Sequence, residues 1–272
     1  MASADHIIEH ALPPVRWAKL TVYYEPIVFQ IGMISNLSQK WRGKNYKAIR
    51  QHPPQTRPEE LPSVDPFRTP WPMPAVEQAG ESLNPALSYQ FDQISLSWKF
   101  PSEEISQDNR YPGFDSLSEE LLSRFGDLVN FVNEQTDDSV RVQGARCFYT
   151  NTLGSVESVE WAMGSLSNWE MGIGSPSRKN LGLEYLGVSM HRTDVNSNLK
   201  TRRSGWVNLD EGENQPGEID ITALVLPDDG FISEEGDPVS IAKMLLIDAH
   251  EYQASLFDAS FSDEMKKSWG LS

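Results

Sequence analysis

Few of the side chains that do chemistry stand at the spacings chemistry requires. His6 and His10 are four residues apart, which would put two imidazoles on one helix face, but no third ligand follows nearby. His250-Glu251 opens like a zinc-protease helix, yet position 254 is Ala, so the second histidine is missing. Cys147 is the sole cysteine, so it forms no internal disulfide, and its neighbours Phe148 and Tyr149 mark it as a small buried residue. Gly172-Ile173-Gly174 lacks the third glycine and following helix of a dinucleotide loop, and the lysine of a phosphate loop is also absent. The acid pairs Asp137-Asp138, Asp228-Asp229 and Glu234-Glu235 fall in turn-like sequence, where solvated carboxylates are ordinary. No cofactor or metal signature emerges, and the catalytic residues of any activity are unassigned.

The basic residues are more informative. Lys40, Arg42, Lys44, Lys47, Arg50 and Arg57 span 18 positions without one acid, and Trp41 and Tyr46 stand among them. Lys40, Trp41, Arg42, Lys44, Tyr46, Lys47 and Arg50 form a candidate interaction patch, able to attract an acidic partner or a phosphate backbone while the aromatics stack. The plainer alternative is a solvated helix end, where cations favour the dipole. A second candidate cluster comprises His191, Arg192, Lys200, Arg202 and Arg203, beside Trp206.

These residues sit in a chain of 272 with 23 Lys+Arg against 39 Asp+Glu, a net charge of −16 that excludes indiscriminate nucleic-acid binding. The charge is unevenly placed: residues 1–70 carry +3 and the remaining 202 carry −19. Residues 208–272 alone hold 15 acids and 3 lysines, a face suited either to solubility or to occupying a cationic protein. Apolar content of 39% supports a sizeable core, and no window approaches a membrane span. The first 17 residues lack the basic start and apolar run of a signal peptide, so the expected compartment is the cytoplasm.

The positioning elements follow from periodicity. Residues 15–24 alternate as a half-buried strand, and a helix with the stripe Ile27, Ile31, Ile34, Ser38 and Trp41 follows Pro26. Nine prolines between His52 and Pro85 make a long connector. LSYQF and ISLSWKF read as paired strands around Asp92-Gln93. Ser116 to Glu119 reads as a capping box for a helix with Leu117, Leu121, Phe125, Leu128 and Val132 inward. A strand follows over 140–150, with a bulge at Gly144. Strands are expected at 155–162, 183–191, 203–209 and 218–226, then a long helix from Asp237-Pro238 and a short terminal helix over 260–269. The fold class is α+β: mostly antiparallel sheets covered by two long helices, with halves 1–152 and 153–272 packed as one unit.

The order Leu12-Pro13-Pro14-Val15, Tyr24-Glu25-Pro26, Trp41, the proline-rich stretch, Ser97-Trp98-Lys99, Tyr111-Pro112-Gly113-Phe114, then His250, Phe257, Phe261-Ser262 and Trp269-Gly270, resembles one family. It is a sporadically distributed family of uncharacterised bacterial proteins, conserved hypothetical proteins, and the resemblance covers nearly the whole chain. It implies a bacterial, soluble, cytoplasmic protein and carries over no activity. The sequence points to a non-enzymatic binding or interaction protein with a protein partner, a regulatory or neutralising component of a bacterial accessory module of the defence or toxin–antitoxin type. The alternatives are an enzyme with a dispersed polar site for a phosphate-bearing substrate near His191, Arg192, Arg202 and Arg203, and specific nucleic-acid binding through the basic patch. The oligomeric state is not encoded in any pattern.

Overall fold

A computed structural model describes residues 15–27, 31–42, 46–62, 74–80, 84–99, 111–136, 139–152, 186–211, 218–228 and 236–260. Strand β1, Val15–Tyr24, places Ala18, Leu20, Val22 and Tyr24 in the core, as its alternation requires. It is flanked by β5 (Gln93–Lys99) and β6 (Val142–Thr152), both antiparallel, so Leu20 lies opposite Leu96 on one side and Cys147 on the other. With β2 (Ala48–His52), β3 (Ala75–Ala79), β4 (Ala86–Gln90), β7 (Leu186–Asn196), β8 (Thr201–Glu211) and β9 (Glu218–Pro227), these make one nine-stranded sheet in the order β2-β3-β4-β5-β1-β6-β9-β8-β7. Outward from the β1–β6 seam, the order is β1, β5, β4, β3, β2 on one side and β6, β9, β8, β7 on the other. On each side the first strand of the segment sits at the seam beside the last.

Three helices occur among the described residues: α1 (Ile31–Trp41), α2 (Phe114–Gln135) and α3 (Pro238–Ser260). All three cover the same face of the sheet. Apolar stripes do the packing: Leu117, Leu121, Phe125, Leu128 and Val132 of α2, as expected, and Ala242, Leu245, Leu246, Ala249 and Leu256 of α3 are buried against β1, β5, β6, β8 and β9. Burial of these side chains stabilises by about 1.5–3 kcal/mol each before conformational entropy is subtracted. Helix α3 lies close to β8 because residue 205 is glycine. A Cβ there would stand 2.3 Å from Leu256 Cδ1 and 3.1 Å from Tyr252 Cε1.

Several sequence expectations change. The proline-rich stretch contains strand β3, and β2 precedes it; neither short segment alternates clearly enough to be read locally. Ser116 does not cap α2. The helix starts at Phe114 after Gly113, whose φ of +89° suits glycine, and Ser118 Oγ donates to the Asp115 carbonyl 2.9 Å away. The turn between β4 and β5 is Phe91-Asp92. The bulge beside Gly144 is present: Tyr23 pairs with Gly144 while Tyr24 pairs with Val142. In place of several sheets there is a single continuous one. The strand expected at 155–162, the terminal helix expected at 260–269 beyond Ser260, which ends α3, and the outermost landmarks of the resemblance lie outside the described residues.

Candidate functional site on the helix-free face of the sheet

Because a strand alternates, every residue that sends one neighbour under the helices sends the next to the opposite face. Register then sets that second set in rows. Lys19, Phe148, Thr222, Trp206 and His191 are successive partners across β1, β6, β9, β8 and β7. The adjacent row runs Thr21, Arg146, Leu224, Ser204 and Thr193, and the row beyond Lys19 runs Lys99, Trp17, Thr150, Asp220, Asn208 and Ser189. Among the described side chains of the strands, this face carries Lys19, Arg50, Lys99, Arg146 and Arg202 against Glu77, Glu218 and Asp220. Helices α2 and α3, on the other side, carry eight acids and two basic residues. The charge division seen along the sequence is therefore also a division across the sheet.

Residues 53–62 cross this face as a strap. Gln55 accepts from Lys19 Nζ at 2.9 Å, donates to Ser88 Oγ at 3.1 Å, and exchanges backbone contacts with the Gln90 amide at 2.7 and 3.0 Å. Arg57 donates to the Tyr24 carbonyl and to Asp92 Oδ2, each at 3.2 Å, and to Gln143 Oε1. Leu61 buries itself among Tyr23, Leu224 and Leu226, with Trp206 against the cluster. Gly144 lets β9 and its Leu226 come close beside this cluster: a Cβ there would meet Leu226 Cδ2 at 2.7 Å and the Val225 carbonyl at 3.0 Å, with Leu61 Cδ2 at 3.4 Å.

Between strap and sheet lies a cavity of about 270 Å³, lined by Thr56, Arg57, Pro58 and Glu60 above and by Arg146, Trp206, Asn208, Thr222 and Leu224 below. Trp206 is braced by His191, stacked 4.8 Å away at 10°. Arg146 lies over Phe148 at 5.6 Å, and Phe148 meets Trp17 edge-on at 5.0 Å. Burial and the nearby Arg146 charge lower Lys19 to about 8, partly offset by Glu77.

The sequence-selected residues are placed differently. Trp41 and Tyr46 are fully buried under the helices: Trp41 Nε1 donates to Asp127 at 2.9 Å and Tyr46 Oη donates to Glu120 at 3.0 Å. Neither presents a ring for stacking. Lys40 pairs with Asp127 at 2.8 Å, Arg42 and Lys47 are exposed, and Arg50 stands on β2 with Glu77 4.0 Å away. Lys44 lies outside the described residues. In the second cluster, His191 and Arg202 share the helix-free face, while Arg192 and Arg203 point to the other. Arg203 binds Asp248 of α3, Arg192 lies 3.8 Å from Asp194, Arg202 lies 4.0 Å from Asp228, and Lys200 occupies the β7–β8 turn with φ of 50°. The four residues read as a phosphate site do not converge. Nor do the clusters join, because β2 and β7 are the two edges of the sheet, eight spacings or roughly 38 Å apart.

The residues missed from sequence are Lys19, Trp17, Arg146 and Phe148. Their signal was the polar phase of β1 and the matching phase of β6. Cys147 is buried and burial pushes its thiol well up; His250, stacked on Phe114 at 3.9 Å, is pushed down by burial. Among the described residues no three His, Cys, Asp or Glu side chains are grouped to hold a metal ion, and no helix is long and apolar enough to cross a membrane. No protein-family model matches the chain, and no curated protein matches it.

Proposed function

We propose that the chain is a non-enzymatic binding protein whose working surface is the helix-free face of its sheet. The carrying observation is the register that sets Lys99, Trp17, Lys19, Phe148, Arg146 and, one strand further on, Trp206 side by side on a face that, among the described residues, only the strap crosses. Cations beside broad aromatic rings bind acidic or aromatic partners and have no need of a nucleophile. The common outward strand order on the two sides of the seam supports an origin as two similar halves, joined edge to edge.

In the setting implied by the sequence resemblance, the protein is a regulatory or neutralising component of a bacterial accessory module, with a protein partner encoded nearby. Co-expression with the product of the adjacent gene tests this. A complex that elutes together at low salt, dissociates at high salt and is lost on Lys99→Glu supports the reading. Separate elution at low salt, or a complex indifferent to Lys99→Glu, overturns it.

A further inference from the structure

The cavity beneath the strap contains two arginines in different circumstances. Arg57 has both terminal nitrogens committed, to Asp92, the Tyr24 carbonyl and Gln143, and only its buried Nε, like that of Arg146, has no partner. Arg146 has a buried Nε with no hydrogen-bond partner, lies over Phe148 and meets the Tyr23 hydroxyl. A guanidinium held rigidly on an aromatic ring, with donors left over and a second cation in Lys19 beside it, is the arrangement that receives a bidentate oxyanion. The rest of the lining is not suited to a bare anion. Trp206 offers an indole braced on His191, Asn208 an amide able to donate and accept, and Glu60 a carboxylate that repels one end of any anion and accepts from amines or hydroxyls. The cavity of about 270 Å³ is open to solvent on one side, so it takes a base and a phosphate while the sugar between them reaches toward the opening.

We infer that this cavity binds a nucleoside phosphate, with the phosphate on Arg146, the base against Trp206, and Asn208 and Glu60 meeting the polar edge of the base or sugar. The inference rests on the reading of this face as the working surface. The same chemistry is presented by a free mononucleotide and by the terminal nucleotide of a single strand.

The full chain is titrated calorimetrically with adenosine monophosphate, adenosine, inorganic phosphate and a short single-stranded oligonucleotide carrying a terminal phosphate. The expected result is saturable binding of the monophosphate, with adenosine and phosphate each weaker by about tenfold or more. Arg146→Gln and Trp206→Leu, both checked for native circular dichroism, each weaken it by about tenfold. Lys243→Gln, on α3 across the sheet, leaves it unchanged. Tighter binding of the oligonucleotide assigns the source to strand ends; equal or weaker binding assigns it to the free nucleotide. Phosphate binding as tightly as the monophosphate, affinity unchanged in Arg146→Gln, or no binding of any of these probes overturns the inference. If that failure accompanies a protein complex that Lys99→Glu still disrupts, the inference falls and the proposed function stands.

Discussion

Two buried aspartates, each facing an arginine, fasten the two layers laid on this sheet. Asp248 of α3 is fully buried and accepts from Arg203, from Thr201 Oγ1 at 2.5 Å and from Asn196 Nδ2 at 2.9 Å. Asp92, 1% exposed in the β4–β5 turn, accepts from Arg57 at 3.2 Å and Gln90 at 2.7 Å. Burial pushes both carboxyls up, but three donors and the Arg203 charge outweigh it at Asp248, which titrates below the usual range. At Asp92, Gln90 and Arg57 offset only part of the burial, and the carboxyl stays raised. The same ion pair is thus a locked rivet under α3 and an incompletely compensated clip under the strap. A helix that closes the core and a segment that lies over a ligand cavity make different demands on their fastenings.

Removing the rivet has the largest effect. Asp248→Ala leaves Arg203, Thr201 and Asn196 without their acceptor and lowers global stability by about 3–5 kcal/mol in urea denaturation. Asp248 also contributes stability that is complete above the unfolded carboxyl value and is lost as pH falls through its depressed folded value. Asp92 has the opposite sign: its ionisation in the folded state is unfavourable, so acid protonates it without an intrinsic penalty. Equal losses in Asp248→Ala and Asp92→Ala would dissolve the contrast. Next in size is Gly205→Ala, which drives a methyl into Leu256 and Tyr252 and costs about 1–3 kcal/mol by overpacking. Gly126→Ala, whose added Cβ meets Val239 at an ordinary 3.6 Å, is the control and is neutral or mildly stabilising by calorimetric Tm.

At the clip, Asp92→Asn retains a hydrogen-bonding side chain but leaves Arg57 without its anion. The expected global loss is smaller, about 1 kcal/mol. The local effect is larger: the Gln55 amide, which donates to Gln90 Oε1, exchanges faster by hydrogen–deuterium exchange while amides of α3 are unchanged. Simultaneous acceleration in α3 would show that the two fastenings belong to one cooperative unit.

The two faces also differed in how far the sequence revealed them. Alternation in residues 15–24 and the stripes beginning at Leu117 and Ala242 made the helix-covered face readable, since burial imposes a period. Trp41 carried two signals, membership of a helical stripe and company with six cations; the stripe decided its position because an apolar ring gains more from the core than from a charged rim. The helix-free face has no such period. Lys19 was legible as polar phase, but its meeting with Arg146 depends on the antiparallel partnership of β1 and β6, more than a hundred residues apart. The strap is harder still: Gln55 and Arg57 sit in sequence that reads as proline-rich and, through Arg57, as the end of the basic run, and their partners at Gln90, Asp92 and Gln143 are fixed by the fold.

The smallest stability effect tests the helix-free face most directly. Lys19 faces Arg146 and Glu77, and Gln55 of the strap accepts its proton-bearing nitrogen. Burial and the Arg146 charge lower it from 10.5 to about 8. Below pH 8 both folded and unfolded chains hold the proton, and the folded state carries the whole penalty of a confined cation. Between about 8 and 10.5 the unfolded chain retains a proton that the folded chain has released, so stability rises with pH across that window. Lys19→Met removes that rise and also removes the Gln55 hydrogen bond, so the net change at neutral pH stays within about 1 kcal/mol. Urea midpoints measured from pH 7 to pH 10.5 in the parent and the variant separate the two terms. A rise that is absent in the parent would mean that water relieves Lys19 of its confinement; a rise that survives in Lys19→Met would place the titrating group elsewhere. With the rise present in the parent and gone in the variant, the cation beside Arg146 is one the fold holds at a cost, which an anion in the cavity would relieve.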